Sequence, residues 1–106
     1  HDGHNGSLRA ADRFASQLVP KLLKALGPRG VLYLTWDEGR RKDRRGIGGP
    51  GGGRIPLIVA GGAARPHTRT VQRANHYALL RTLEAGFGLP ALGKADEAPV
   101  LRGLTH

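Results

Sequence analysis

Residues 31–39, Val-Leu-Tyr-Leu-Thr-Trp-Asp-Glu-Gly, form an apolar, β-rich run that ends in two adjacent carboxylates and a glycine. The pattern predicts a strand over about residues 30–36. In an open α/β sheet, ligands bind at the carboxyl ends of the strands, so Asp37 and Glu38 could supply half of a divalent-cation site. Spacing alone favours a simpler alternative, a polar turn, because acidic residues are common turn formers.

The length of the chain limits its fold. A chain of 106 residues forms one domain at most, and only two strong strands can be recognised in it. Two parallel strands are weakly stable alone, since parallel sheets are usually covered on both faces. The chain also begins at His1 and contains no Met. We therefore expect residues 1–106 to be a portion of a single larger domain.

The chain is strongly basic, with a formal net charge of +9 and a pI near 11.3. This charge favours an anionic partner, such as nucleic acid, an acidic lipid or a phosphorylated substrate. The absence of cysteine excludes a disulfide framework and a thiolate zinc site. No apolar run reaches the roughly 18 residues of a membrane-spanning helix, so no transmembrane segment is predicted.

The remaining elements follow from caps and periodicity. A helix is predicted over residues 7–27, capped by Ser7, with a kink or restart at Pro20. A second strand is predicted over 55–60, a helix over 75–87 capped by Asn75, and an extended tail over 91–106. We expect the two strands to be parallel neighbours, with the first helix packed on one face.

Residues 40–53 combine the run Arg-Arg-Lys-Asp-Arg-Arg with a glycine-rich stretch. Such a segment has little to bury, which predicts a flexible basic, Gly-rich loop near the end of the first strand. A basic arm on nucleic acid is one interpretation, and a surface loop with incidental charge is the preferred one. The glycines lack the Lys-Ser/Thr pair of a phosphate-cradling loop.

Three histidine or acidic positions are further candidates. Asp2 and His4 lie in an N-terminal loop and could bind a metal ion or a phosphoryl oxygen, although a frayed terminus is the slightly favoured alternative. His76 falls in the first turn of the second predicted helix, where a histidine is more often a packing or capping residue than a ligand.

Five segments in order resemble the C-terminal half of the bacterial phosphoesterase family. The segments are Asp-Gly-His-Asn at 2–5 with Ala-Asp at 11–12, Thr-Trp-Asp-Glu-Gly at 35–39, Gly-Gly-Gly-Arg-Ile-Pro-Leu-Ile-Val at 51–59, Asn-His-Tyr-Ala-Leu-Leu-Arg-Thr-Leu-Glu at 75–84, and Phe-Gly-Leu-Pro at 87–90. That family contains acid phosphatases and phospholipases C of the alkaline phosphatase superfamily. The resemblance implies an α/β fold, the C-terminal fragment of an alkaline-phosphatase-like α/β/α sandwich with the order helix-strand-strand-helix.

The resemblance also implies a chemistry, the metal-assisted hydrolysis of phosphoester bonds. It assigns Asp37 and Glu38 to a divalent metal ion of unknown identity. It matches Asp2 and His4 to an Asp-x-His element in which His4 contacts phosphate or assists the leaving group. The His76 position implies a supporting role behind the metal ligands.

Two features depart from the family pattern. His1 stands where Asn is usual, and Arg54 stands where the glycine run is often followed by His, so Arg54 could instead pair with phosphate. No nucleophile segment is recognisable, because Ser7 and Ser16 lie on the first helix without the required context. We expect the nucleophile in a missing N-terminal half, and the isolated chain to be inactive.

The prediction for the site is that Asp37, Glu38, Asp2 and His4 converge at the end of the first strand, with Arg54 nearby. An antiparallel hairpin over the 40–53 loop would count against both the topology and the family resemblance. The resemblance implies a secreted, periplasmic or cell-envelope location. The alternative is a small basic nucleic-acid-binding module using the Arg-rich loop, but RNA-binding-sheet and helix-turn-helix patterns are missing, so a nucleic acid partner is not expected.

Overall fold

The computed structural model describes residues 5–47 and 51–106. The elements are helix α1 (Leu8–Leu26), strand β1 (Leu32–Thr35), strand β2 (Leu57–Ala60), helix α2 (His76–Gly86) and a short 3₁₀ helix (Gly93–Glu97). The predicted order helix-strand-strand-helix is confirmed, and each boundary lies within a few residues of the expected one. The architecture is therefore mixed α/β, with two α-helices and a two-stranded sheet.

Local capping explains both α-helices. The backbone N–H of Ala10 donates to the Ser7 hydroxyl at 3.1 Å, and that of Ala78 donates to the Asn75 side chain at 3.1 Å. Gly27 then ends α1 with a φ of 69°, a left-handed conformation that glycine adopts without steric penalty. α1 continues through Pro20 without the predicted restart, since proline removes only one hydrogen bond of the ladder.

The two strands pair antiparallel, with Leu32 opposite Ala60 and Thr35 opposite Leu57. The predictions of parallel strands and of an alkaline-phosphatase-like sandwich are therefore wrong. A parallel pair needs a crossover, usually helical, whereas residues 36–56 contain no helix among those that the structure describes. The chain instead turns back on itself as a long hairpin, and this outcome counts against the family resemblance.

The hairpin loop is held by backbone hydrogen bonds on both arms. Gly39 N–H donates to the Gly52 carbonyl at 2.6 Å, and Gly53 N–H donates to the Arg45 carbonyl at 3.1 Å. These bonds extend the pairing of β1 and β2 beyond the strands themselves. The predicted flexibility of the 40–53 loop, of which residues 48–50 lie outside the described part, stays a prediction.

The segment 91–106 is more structured than the extended tail that the sequence predicted. It holds the 3₁₀ helix, and Arg65 N–H donates to the Leu104 carbonyl while His106 N–H donates to the Ala63 carbonyl, both at 2.9 Å. Ala95 from this segment is fully buried, as is Ala78 of α2, and Leu101 is 9 % exposed. The small core of the described residues thus lies between α2 and the C-terminal segment.

No helix among the described residues could cross a membrane. α1 and α2 both lack the combination of length and apolar character that a bilayer-crossing helix requires.

Candidate functional site

The end of β1 and the start of α2 meet at the acidic pair. Asp37 and Glu38 are exposed and follow β1 almost directly, and the Nε2 atom of His76 lies 2.7 Å from the backbone carbonyl oxygen of Asp37. A carbonyl can only accept a hydrogen bond, so Nε2 carries the proton in this contact and Nδ1 is left facing elsewhere. His76 thereby ties the first turn of α2 to the strand end that carries the two carboxylates.

The backbone of Arg54 lies against Gly39, directly after the acidic pair. A Cβ atom on Gly39 would lie 2.8 Å from the Arg54 carbonyl oxygen and 3.1 Å from its nitrogen. Only glycine fits between the acidic pair and the returning arm of the hairpin at this separation. A Cβ atom on Gly52 would lie 3.3 Å from the Glu38 Cβ, so the glycine-rich arm passes directly beside the second carboxylate.

The Asp43 carboxylate connects the two arms of the basic loop at residues 40–53. Its carboxylate accepts hydrogen bonds from the Arg45 side chain at 2.6–3.1 Å, from the Arg45 backbone N–H at 3.0 Å and from the Arg54 backbone N–H at 3.1 Å. The Arg45 guanidinium and these two N–H groups hold the pKa of the Asp43 carboxyl well below its usual range. The ion pair also raises the pKa of Arg45. One carboxylate therefore joins the two arms of the loop.

An open cavity of about 970 Å³ lies between the loop and the strand end. Four arginines and two carboxylates contribute to its wall. These charged residues are Arg40, Arg41, Arg44, Arg54, Glu38 and Asp43, and Trp36 and Leu8 add apolar surface. Because Asp43 already pairs with Arg45, positive charge dominates this cavity, which we call the arginine cavity.

A second cavity of about 790 Å³ adjoins the arginine cavity and includes His76 and Thr35 in its wall. The two cavities share Arg40, Asp43 and Arg54. Glu38 thus borders one cavity and His76 the other, with the same arginines between them. The region around the end of β1 can accept an anion and offers two carboxylates to a cation.

The predicted site residues fall into two groups. Asp37, Glu38, Arg54 and His76 lie in one region of the structure, whereas Asp2 and His4 lie outside the described residues. Their convergence with the acidic pair, and the catalytic role of His4, stay predictions. Within 5–47 and 51–106, no group of three or more His, Cys, Asp or Glu side chains has the geometry to hold a metal ion. The divalent metal ion also stays a prediction.

The hydroxyl groups in α1 are used by the helix itself. Ser7 accepts from Ala10 as the N-cap, and the Ser16 hydroxyl donates to the Arg13 carbonyl at 2.7 Å. The predicted N-cap role of Ser7 is confirmed, and the absence of a nucleophile from this chain stays a prediction.

Sequence reasoning missed the organising role of Asp43 and the cavity lined by its arginine neighbours. The one available signal was local: Asp43 is the single carboxylate inside the run Arg-Arg-Lys-Asp-Arg-Arg at 40–45. A lone acid among cations is well placed to accept several N–H groups. Its contact with Arg54 depends on the hairpin, so it could not be read from the run alone.

Comparison with known proteins gives one informative similarity. The chain is 31 % identical over 100 residues to the phosphatidylinositol-3-phosphatase of Mycobacterium tuberculosis. The aligned residues make up 93 % of this chain and 30 % of that relative. The chain therefore spans about a third of the length of the curated relative that it matches. No protein-family model matches the chain. No solved structure matches it either. The similarity connects the chain to a phosphatase and leaves the family open.

Proposed function

We propose that this chain is part of a phosphoester hydrolase of the phosphatase type. The observation that carries the proposal is the 31 % identity to a phosphatase over 93 % of the chain. The antiparallel hairpin argues against the predicted sandwich fold, but it does not bear on the chemistry, which depends on a site and not on a fold. The acidic pair beside the arginine cavity supports a phosphorylated substrate.

The donor set at the strand end suits a divalent cation in part. Carboxylate oxygens are ligands that Mg²⁺, Ca²⁺, Mn²⁺ and Zn²⁺ accept, and Asp37 and Glu38 supply them from adjacent positions. Two carboxylates are too few for a complete site, so further ligands would come from Asp2 or from residues outside this chain. When bound, such an ion would polarise the phosphoryl oxygen and lower the pKa of an attacking hydroxyl.

The residues of this chain would act around that centre. His76 holds the backbone of Asp37 through its Nε2–H and so fixes the direction in which the acidic pair leaves the strand. Arg54 would pair with the substrate phosphate through its guanidinium group. His4 would contact the phosphate or donate a proton to the leaving group. The nucleophile would come from outside this chain, which would make the isolated chain inactive.

The surface of α1 supports a partner for this chain within a larger domain. Leu18, Leu22 and Leu26 remain 37–43 % exposed, and Leu8 at the start of the helix is 75 % exposed. A contiguous apolar face of this kind is typical of a surface that another part of a protein covers. We infer that a further part of the same phosphatase covers this face and supplies the nucleophile. The envelope or secreted location stays an expectation.

The test is hydrolysis by the full-length protein that contains this chain. The protein is stripped with a chelator and then assayed with Mg²⁺, Ca²⁺, Mn²⁺ or Zn²⁺ on 4-nitrophenyl phosphate, bis(4-nitrophenyl) phosphate and phosphatidylinositol 3-phosphate. We expect metal-dependent release of phosphate from the two monoesters or of 4-nitrophenol from the diester, and preference among the substrates would distinguish monoester from diester hydrolysis. No release of phosphate or 4-nitrophenol from any substrate with any metal would contradict the proposal.

A further inference from the structure

Several hydrogen bonds connect the residues around the arginine cavity. Asp43 N–H donates to the Arg40 carbonyl at 2.7 Å, which closes a turn, and the Asp43 carboxylate fixes the backbone of Arg45 and Arg54. The Asp43 side chain is only 15 % exposed, which is unusual for an acid in a surface loop. Backbone groups of Arg40, Arg44 and Arg54 therefore take part in the hydrogen bonds of the loop.

The composition of the cavity selects an anion of a particular kind. Guanidinium groups present a planar fork that matches two phosphate oxygens, and four arginines are more than one phosphoryl group requires. A volume of about 970 Å³ is within the range of small-molecule sites, and it is concave where a nucleic-acid surface would need an extended stripe. Trp36 adds an apolar wall suited to the organic part of a ligand.

The acidic pair is at the border of the same cavity. Glu38 belongs to its wall, and Gly39 presses against Arg54 directly behind the carboxylates. A substrate with one phosphoryl group at the acidic pair would thus have its remaining parts next to Arg41 and Arg44. If the rest of the substrate were neutral, Arg41 and Arg44 would have no anion to pair with. A second phosphate group would pair with both.

We propose that the arginine cavity is a subsite for a second phosphate group, so that the substrate class is small organic molecules that carry at least two phosphates. This inference rests on the proposed function for the identity of the cleaved bond. The subsite itself is a binding property that turnover is not needed to detect.

The experiment measures binding of pyrophosphate and orthophosphate to the full-length protein by titration calorimetry in excess chelator. The wild type is compared with Arg41→Gln/Arg44→Gln and with Lys42→Gln, a matched control in the same loop whose side chain does not line the cavity. We expect tighter binding of pyrophosphate than of orthophosphate by the wild type. The double variant should lose about tenfold or more in pyrophosphate affinity, since hydrogen bonds to charged groups are the strong ones. Lys42→Gln should stay within about twofold because a solvated cation is screened.

A further variant, Arg41→Lys/Arg44→Lys, keeps the charge and removes the planar fork. We expect it to bind pyrophosphate several-fold more weakly than the wild type but better than the glutamine pair. Equal affinities in all four proteins would overturn the subsite, and so would a loss in Lys42→Gln as large as in the double variant. Tighter binding of a single-stranded oligonucleotide than of pyrophosphate would overturn it in favour of a nucleic-acid arm.

The two proposals fail separately. Loss of pyrophosphate affinity in the double variant without any metal-dependent turnover would retain the subsite and reject the hydrolase. Metal-dependent turnover with unchanged pyrophosphate affinity in every variant would retain the hydrolase and reject the subsite.

Discussion

The two helices of this chain have opposite surroundings. α1 has the clearer apolar stripe, yet none of its residues is buried and Phe14 is 44 % exposed. α2 is shorter and buries Ala78 completely and Glu84 to 6 % exposure. The difference comes from the C-terminal segment, which packs on α2, while the described residues provide no comparable cover for α1.

Side-chain hydrogen bonds explain why the C-terminal segment stays on α2. The Thr82 hydroxyl donates to the Ala78 carbonyl at 2.7 Å and accepts from the Leu101 N–H at 2.9 Å. A Glu84 carboxylate oxygen accepts from the Leu92 N–H at 3.0 Å. The bonds to Leu92 and Leu101 satisfy backbone N–H groups outside the helices and strands, and they hold the C-terminal segment against α2. An apolar stripe therefore predicts a helix, but the partner segment decides whether it is covered.

The largest expected contrast is in packing. Ala78→Leu adds volume at a fully buried position and should lower the free energy of unfolding of the chain by about 1–3 kcal/mol. Ala25→Leu makes the same change at an exposed position of α1 and should alter it by less than about 0.5 kcal/mol. Urea titrations of both variants provide the measurement. Equal effects would mean that the two helices are covered alike.

A second contrast removes one hydroxyl from each helix. Thr82→Val keeps the shape of the side chain but leaves the Leu101 N–H without its acceptor, so unfolding should become easier by about 1–2 kcal/mol. Ser16→Ala, which removes an exposed bond to the Arg13 carbonyl, should change stability by less than about 0.5 kcal/mol. The contrast fails if Ser16→Ala proves the more destabilising of the two.

Acid should loosen the hairpin loop by protonating Asp43. The pKa of Asp43 is lowered in the folded chain, so its bonds stabilise the loop fully above its usual value of 3.8 and are lost as pH falls below that value toward the folded pKa. Trp36, the one tryptophan, lines the same cavity, so its fluorescence should change over this acid range. Asp43→Asn should remove the transition. Identical titrations of Asp43→Asn and wild type would contradict this assignment.

Amide exchange should give the smallest but most detailed contrast. The N–H groups of Leu92 and Leu101, held by α2 side chains, should exchange more slowly than those of the exposed loop residues Arg41 and Lys42. Exchange in the loop as slow as in residues 31–36 would contradict its predicted flexibility.

Local signals in the sequence predicted the elements well. Ser7 and Asn75 cap the helices as expected, because a cap depends on residues only three positions apart. The strand direction was predicted wrongly, although the sequence held a clue in the lack of any helical pattern between the strands. The arginine cavity and the folded tail depend on contacts such as Asp43 to Arg54 and Thr82 to Leu101, which only the tertiary structure creates.

The candidate site also combines features that are local in the sequence with contacts that only the tertiary structure creates. Adjacency in sequence sufficed to propose Asp37 and Glu38 as a pair, whereas the contact of His76 with the Asp37 carbonyl spans 39 positions. That contact joins His76 to the backbone of Asp37 and does not supply a third metal ligand, and the supporting role of His76 stays a prediction. A complete ligand set is a property of the folded domain and requires residues beyond those that pair here.

The central claim, metal-assisted phosphoester hydrolysis with Asp37 at the metal, is tested most directly by Asp37→Asn in the full-length protein. Phosphate release is measured against metal concentration after chelation, beside wild type and beside Lys42→Ala as a solvated loop control. We predict that Asp37→Asn abolishes the metal-dependent activity, because loss of an anionic ligand weakens and misplaces the ion, and that Lys42→Ala changes it little. If Asp37→Asn and wild type respond identically to metal, the carboxylates form only a turn and the site assignment is wrong.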